Sequence, residues 1–141
     1  MQPTNRCNIE AKDSRNCDLY VDHTLTLNIE GQLLDAQLEL SDGRLLLFVT
    51  DDCPHEEGLH IYLLSKQLTV LDQLDIGSAY TPGCFQNLTV IDSQSCSFTF
   101  FDNQTMLLNL LPSPTRMLRN PAGVSHKLGI LKPHYLKISL I

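Results

Sequence analysis

The chain of 141 residues contains no tryptophan, no long apolar run and no acidic residue after Asp102. Without tryptophan, a ligand cannot stack on an indole ring. No apolar stretch approaches the roughly 20 residues that a membrane helix needs, so no membrane span is expected. The first 16 residues are polar and contain no apolar signal core, and the sequence therefore predicts a cytoplasmic protein.

Motifs for the commonest nucleotide and hydrolase sites are also missing from the sequence. The chain has no Walker loop, no G-x-G-x-x-G fingerprint and no G-x-S-x-G nucleophile elbow. Its five cysteines form no C-x-x-C pair and no zinc-finger spacing, and an odd number argues against a secreted disulfide framework. The sequence thus indicates no catalytic residue, which favours a protein that is not an enzyme, and we expect five reduced thiols.

The charges are unevenly distributed along the chain. Residues 1–102 carry all 16 acids and five bases, a net charge of −11, whereas residues 103–141 carry five bases and no acid. An acidic body repels nucleic acid and membrane phosphates, so nucleic acid is not expected as a partner. The acidic excess instead predicts a partner protein with a basic surface.

Alternating apolar and polar residues predict β-strands through most of the chain. Residues 34–40 read LDAQLEL, a period of two that is typical of a strand with one solvated face. Residues 44–50 and 59–65 are apolar on both faces and are expected to be central strands. Asp72 is a polar break in an otherwise apolar strand face, which indicates a β-bulge or a buried acid with a partner.

Turn signals recur at a spacing of roughly 8–12 residues, which is typical of a sandwich or an up-and-down barrel. Pro133 predicts that the last strand lies at an edge or is interrupted there. We predict an all-β fold, an antiparallel meander of about eight or nine short strands forming a β-sandwich or up-and-down barrel, with little or no helix. Residues 1–16 are predicted to be a flexible polar lead-in to a single all-β domain of residues 17–141.

The stretch from residue 51 to residue 60, DDCPHEEGLH, concentrates four acids, a cysteine and two histidines. It resembles the zinc-protease motif H-E-x-x-H, but its histidines are one residue too far apart, and Pro54 and Gly58 oppose a helix. We therefore predict a hairpin loop with a negative tip between two core strands. A divalent-metal site is the alternative, with six candidate ligands: Asp51, Asp52, Cys53, His55, Glu56 and His60.

The favoured function is a non-enzymatic, acidic protein-interaction module without a cofactor, such as an inhibitor or immunity-type protein that masks a basic surface. Loops on a rigid scaffold often carry recognition, so loops 51–58 and 77–87 are the predicted contacts. The predicted partner-binding residues are Asp51, Asp52, Glu56, Glu57 and Tyr80. Two alternatives remain open: a β-barrel that binds a small ligand or divalent metal, with or without hydrolase activity, and a structural subunit that self-associates through the edge strand 128–141.

Overall fold

The computed structural model describes residues 1–102, 104–116, 118–129 and 131–141, apart from the side chain of Pro54. These residues form thirteen strands and one turn of 3-10 helix. The strands are β1 (Gln2–Pro3), β2 (Cys7–Ala11), β3 (Asn16–Val21), β4 (Thr24–Glu30), β5 (Leu33–Glu39), β6 (Leu45–Thr50), β7 (Leu59–Leu64), β8 (Val70–Ile76), β9 (Gln86–Asp92), β10 (Ser95–Thr99), β11 (Thr105–Thr115), β12 (Val124–His126) and β13 (His134–Leu140). No helix in this part of the chain has the length and apolarity to cross a membrane.

The strands lie in three antiparallel sheets. The central sheet has the order β1-β5-β6-β7-β8-β12, the N-terminal sheet β2-β3-β4, and the C-terminal sheet β13-β11-β10-β9. The prediction of an all-β antiparallel fold with little helix is confirmed. The predicted number of strands is too low, because elements as short as β1 and β12 contain too few residues for a periodic pattern.

The central sheet has apolar clusters on both faces. Successive side chains of a strand point to opposite faces, so Leu46 and Phe48 pack with residues of the C-terminal sheet, whereas Leu45 and Leu47 pack with residues of the N-terminal sheet. Every residue of β6 and β7 is buried. This confirms that the segments predicted as central strands are buried on both faces, and it gives the structure three layers.

Residues 1–16 differ from the predicted flexible lead-in because they contain paired strands. β1 pairs with β5, and β2 pairs with β3. Cys7 is buried, and the side-chain amide of Gln37 accepts a hydrogen bond from the Cys7 N–H at 2.8 Å and donates one to its carbonyl at 3.0 Å. In β2 the residues Cys7, Ile9 and Ala11 alternate with Asn8 and Glu10, but this stretch of five residues is too short to stand out from its polar surroundings.

A β-bulge interrupts the alternation that was predicted for residues 34–40. Leu34 pairs with Val49 and Ala36 pairs with Phe48, so Asp35 is an extra residue in β5. Ala36 accordingly packs against the apolar cluster shared with the C-terminal sheet, whereas Leu34 packs against the cluster on the opposite face. Bulges commonly redirect side chains next to functional sites, and here the bulge leaves Asp35 exposed.

Pro133 limits the last strand as the sequence predicts. β13 begins at the next residue, His134, and it is an outer strand of the C-terminal sheet. The backbone N–H groups of Tyr135 and Leu136 donate to the carboxylate of Asp72 at 2.9 and 3.0 Å. The start of this edge strand is therefore fastened to β8 of the central sheet.

Candidate functional site

The loop 51–58 is closed by hydrogen bonds of its own residues. The Asp51 N–H donates to the Gly58 carbonyl at 3.0 Å. Glu57 is 9% exposed, and its Oε1 accepts hydrogen bonds from the N–H groups of Asp51 at 2.9 Å and Cys53 at 3.3 Å. Glu57 was predicted to project towards a partner, but it turns inward because it supplies an acceptor for these backbone donors.

His60 lies between two carboxylates, and we call Asp51, His60 and Asp75 the rim bridge. His60 Nδ1 is 2.8 Å from Asp75 Oδ1, and Nε2 is 2.7 Å from Asp51 Oδ1. Burial lowers the pKa of His60, but hydrogen bonds to Asp51 and Asp75 and their negative charges outweigh burial and raise this pKa to about 9. His60 is therefore a cation at neutral pH and donates from both nitrogens.

Of the six predicted metal ligands, Asp51 and His60 are the two whose side chains are joined by a hydrogen bond in the described part of the chain. Because both nitrogens of His60 donate to carboxylates, neither offers a lone pair to a metal ion. The other four residues lie exposed in the loop: Asp52, Cys53, His55 and Glu56. Within the described ranges, none of the six belongs to a group of three convergent metal-ligating side chains. The geometry gives the metal hypothesis no support at this loop.

A second acid–histidine group lies in the interior, and we call Asp72, His126 and His134 the interior cluster. Asp72 and His134 are fully buried, and His134 Nδ1 is 2.9 Å from Asp72 Oδ1. The sequence indicated that Asp72 marks a bulge or a partnered acid, and both are present. Leu63 pairs with Asp72 and Leu64 pairs with Val70, which leaves one extra residue between them.

The interior cluster has the composition of a metal centre but not its geometry. One ligand atom from each residue lies within 4.8 Å of the others. However, the His126 and His134 rings stack with centroids 3.7 Å apart and planes inclined by 22°. Imidazole lone pairs lie in the ring plane, and nearly parallel planes cannot both contain one ion. His134 Nε2 also lies 2.6 Å from the Gly129 carbonyl, so both of its nitrogens face acceptors.

His126 occupies a different protonation state from His60. Burial lowers the pKa of His126, and the effects of the Leu136 carbonyl and Asp72 do not fully offset it. Neutral His126 donates from Nε2 to the Leu136 carbonyl at 3.0 Å, and its Nδ1 accepts from the Asn120 amide at 3.0 Å. The interior cluster therefore joins β8, β12 and β13 through a buried acid–histidine contact and several further hydrogen bonds.

The loops 51–58 and 77–85 meet and line a cleft of about 340 Å³, which we call the acidic cleft. Their backbones are close, because a Cβ on Gly77 would lie 3.3 Å from the Glu57 carbonyl oxygen. Three carboxylates line the cleft, and they come from separate segments of the chain: Asp35, Glu57 and Asp102. Its apolar wall is formed by leucine and phenylalanine side chains: Leu33, Phe85 and Phe100.

No ion pair neutralises the three cleft carboxylates within the part of the chain that the structure describes. Asp35 Oδ2 accepts a hydrogen bond from the Thr50 hydroxyl at 2.5 Å, which is a neutral donor. Phe85 stacks on Phe48 with ring centroids 5.0 Å apart, so the end of loop 77–85 is anchored on the core. The cleft therefore combines carboxylates that have no ion-pair partner with an apolar wall that packs against the core.

The predicted partner-binding residues divide into two groups. Asp52, Glu56 and Tyr80 are exposed, and Tyr80 is 90% exposed. Asp51 is held in the rim bridge, and Glu57 lines the cleft. Asp35 and Asp102 could not be predicted as site residues, because the fold brings them to the loops from distant segments and no local motif marks them.

The five cysteines are free, in agreement with the expectation of reduced thiols. Burial raises the pKa of Cys7 and of Cys17 to about 11, and it raises the pKa of Cys96 to about 12. Cys53 and Cys84 are exposed in the two loops. The buried thiols are therefore packing groups rather than nucleophiles.

The chain matches no protein-family model, no curated protein and no solved structure. Similarity therefore assigns neither a class nor an activity. A fold class on its own does not define a function, which depends here on the chemistry of the cleft and the loops around it.

Proposed function

We propose that this chain is a non-enzymatic interaction module that binds a protein with a basic surface and masks that surface, as an inhibitor or immunity-type protein does. The observation that carries the proposal is the convergence of Asp35, Glu57 and Asp102 on one cleft without a cationic partner. Carboxylates held together without countercharge repel one another, and a cation from a partner relieves that repulsion.

The surroundings of the cleft have the composition of a recognition surface. Asp52 and Glu56 extend the negative potential along loop 51–58, and Tyr80 offers an exposed aromatic ring on the neighbouring loop. Aromatic side chains are enriched at protein interfaces, and complementary charge accelerates association and suppresses wrong partners. Such a surface should bind a basic protein with an affinity that falls as salt is added.

Part of the positive charge of residues 103–141 is already paired away from the cleft. Lys127 Nζ lies 3.1 Å from Glu30 Oε1 in a partly exposed ion pair. Self-association through residues 128–141 receives less support, because two backbone N–H groups near the start of β13 already donate to Asp72. Recognition at the acidic cleft is therefore the favoured function.

The test begins with capture by the immobilised full chain from extracts of its source cells, at low and at physiological salt. A captured basic protein is identified by mass spectrometry, purified and titrated against the chain by calorimetry. We expect one-to-one binding that weakens steeply with salt, because the contact is electrostatic. Replacing two cleft acids, Glu57→Gln with Asp102→Asn, should weaken binding by at least about tenfold.

A remote pair of equal charge change, Glu10→Gln with Asp18→Asn on the N-terminal sheet, serves as the matched control. It should change the dissociation constant by less than about threefold, because exposed charges far from a contact act only through a screened field. Affinity that is unchanged by salt, or that falls equally in both double variants, would contradict the proposed function.

A further inference from the structure

We propose that the acidic cleft is a pocket for one arginine side chain of the partner, whose guanidinium group lies among Asp35, Glu57 and Asp102. This inference rests on the proposed function, because it names the group of the partner that the cleft recognises. It also goes further, since a broad acidic surface could attract a basic protein without any pocket that selects a particular side chain.

The size of the cleft favours a single side chain. Its volume of about 340 Å³ lies at the small end of the range for ligand pockets. Gly83 has no side chain that could fill the cleft, and a Cβ added at this position would lie 2.5 Å from the Phe100 ring. The absence of that side chain allows loop 77–85 to pack on Phe100 and leaves the cleft open beside it.

Glu57 supplies an acceptor inside the cleft rather than at its surface. Glu57 is only 9% exposed, and its Oε1 already accepts two backbone hydrogen bonds. Its other oxygen, Oε2, makes no hydrogen bond within the described part of the chain, and the residue lines the cleft. A carboxylate oxygen that is open to the cleft and has no donor can accept a charge-assisted hydrogen bond from an incoming N–H group.

The remaining walls distinguish arginine from a simple cation. A guanidinium has five N–H donors in a plane and is weakly hydrated, so it suits several carboxylates beside apolar surface. Leu33 is 45% exposed at the cleft, and Phe85 is half-buried there. These side chains can cover the methylene stem of an arginine and stack with its guanidinium group. A small hydrated metal ion would gain nothing from this apolar wall.

The test uses the isotope-labelled full chain and three blocked peptides, glycine–X–glycine, in which X is arginine, lysine or citrulline. Citrulline keeps the shape of arginine without its charge. We expect the arginine peptide to shift the NMR resonances of cleft residues such as Leu33, Gly83 and Asp102, with weaker binding of lysine and none of citrulline. Glu57→Gln and Asp102→Asn should each weaken arginine binding by about tenfold.

Glu56→Gln is the matched control, since it removes the same charge from an exposed position in the same loop. Gln at position 57 keeps an acceptor for the loop N–H groups, and Asp102→Asn tests the pocket independently of the loop. Equal binding of arginine and lysine, equal losses in Glu56→Gln and Glu57→Gln, or the same shifts from calcium chloride alone would overturn the arginine pocket. The proposed function would survive those outcomes if the captured basic protein still lost affinity in the Glu57→Gln, Asp102→Asn variant.

Discussion

Strand β8 carries one acid on each face, and the two acids are neutralised in different ways. Asp72 shares its face with Leu74, which packs in the apolar cluster that includes the C-terminal sheet. Asp75 lies on the opposite face and pairs with His60, which links it to Asp51 at the start of loop 51–58. One acid therefore fastens a strand in the interior, while the other fastens a loop at the rim.

The partners of the two acids determine how each can respond to solvent. Asp72 accepts from the backbone N–H groups of Gln73, Tyr135 and Leu136 in addition to His134. Backbone donors keep their protons at any ordinary pH. The rim bridge instead depends on the charge of a single imidazole, and the side chain of Asp51 is 39% exposed. The contacts that backbone N–H groups make with Asp72 should therefore be strong, whereas the rim bridge should be weaker and should depend on the charge of His60.

Asp72→Asn should give the largest loss of stability, because it removes a fully buried carboxylate that is bonded to His134 and accepts from three backbone N–H groups. An asparagine also presents N–H donors to backbone groups that need acceptors. Breaking a buried ion pair costs about 3–5 kcal/mol, which urea denaturation of the variant would measure. Asp52→Asn, at an exposed position, should change the free energy of unfolding by less than about 0.5 kcal/mol. A loss below about 1 kcal/mol for Asp72→Asn would show that the pair behaves like a surface contact.

His60→Gln should reduce stability by an amount that depends on pH. The pKa of His60 is about 9 in the folded chain, above the ordinary value near 6.5, so the rim bridge stabilises fully below about pH 6.5. That contribution, on the order of 3 kcal/mol, is lost as pH rises through about 9. Urea denaturation of both proteins between about pH 6 and pH 10 would measure the difference.

Subtracting the two curves also removes the contribution of His126, whose lowered pKa gives a pH dependence of opposite sign. The rim bridge would be refuted as a charged contact if the difference between wild type and His60→Gln stayed constant across this range. A difference that grew with pH would show that folding lowers the pKa of His60 instead of raising it, which would also contradict the rim bridge.

The interior cluster and the rim bridge also show which features of the fold and the site can be predicted from the sequence. Regular apolar patterns identified β6 and β7, because strands buried on both faces leave a strong local signal. Part of the rim bridge could be predicted from the sequence, since Asp51 and His60 lie in the same short stretch. Asp75 could not be assigned to it, because the pairing of β7 with β8 puts His60 opposite Asp75 and depends on the bulge near Leu71. Asp35 reaches the cleft through another bulge, and bulges have no reliable local pattern.

Gly58→Ala should give the smallest of the three effects and should act only through the rim bridge. A Cβ at Gly58 would lie 2.3 Å from Asp51 Oδ2, so the carboxylate must move away from His60. Because Asp51 is partly exposed, it can rotate into solvent, and the loss should be about 1.5 kcal/mol, the size of one charged hydrogen bond. In an Asp51→Ala background the same substitution should cost less than about 0.5 kcal/mol, since no carboxylate remains to be displaced. Chemical denaturation of the four proteins in this cycle measures the coupling, and equal costs in both backgrounds would show that Gly58 is required for the loop backbone rather than for the bridge.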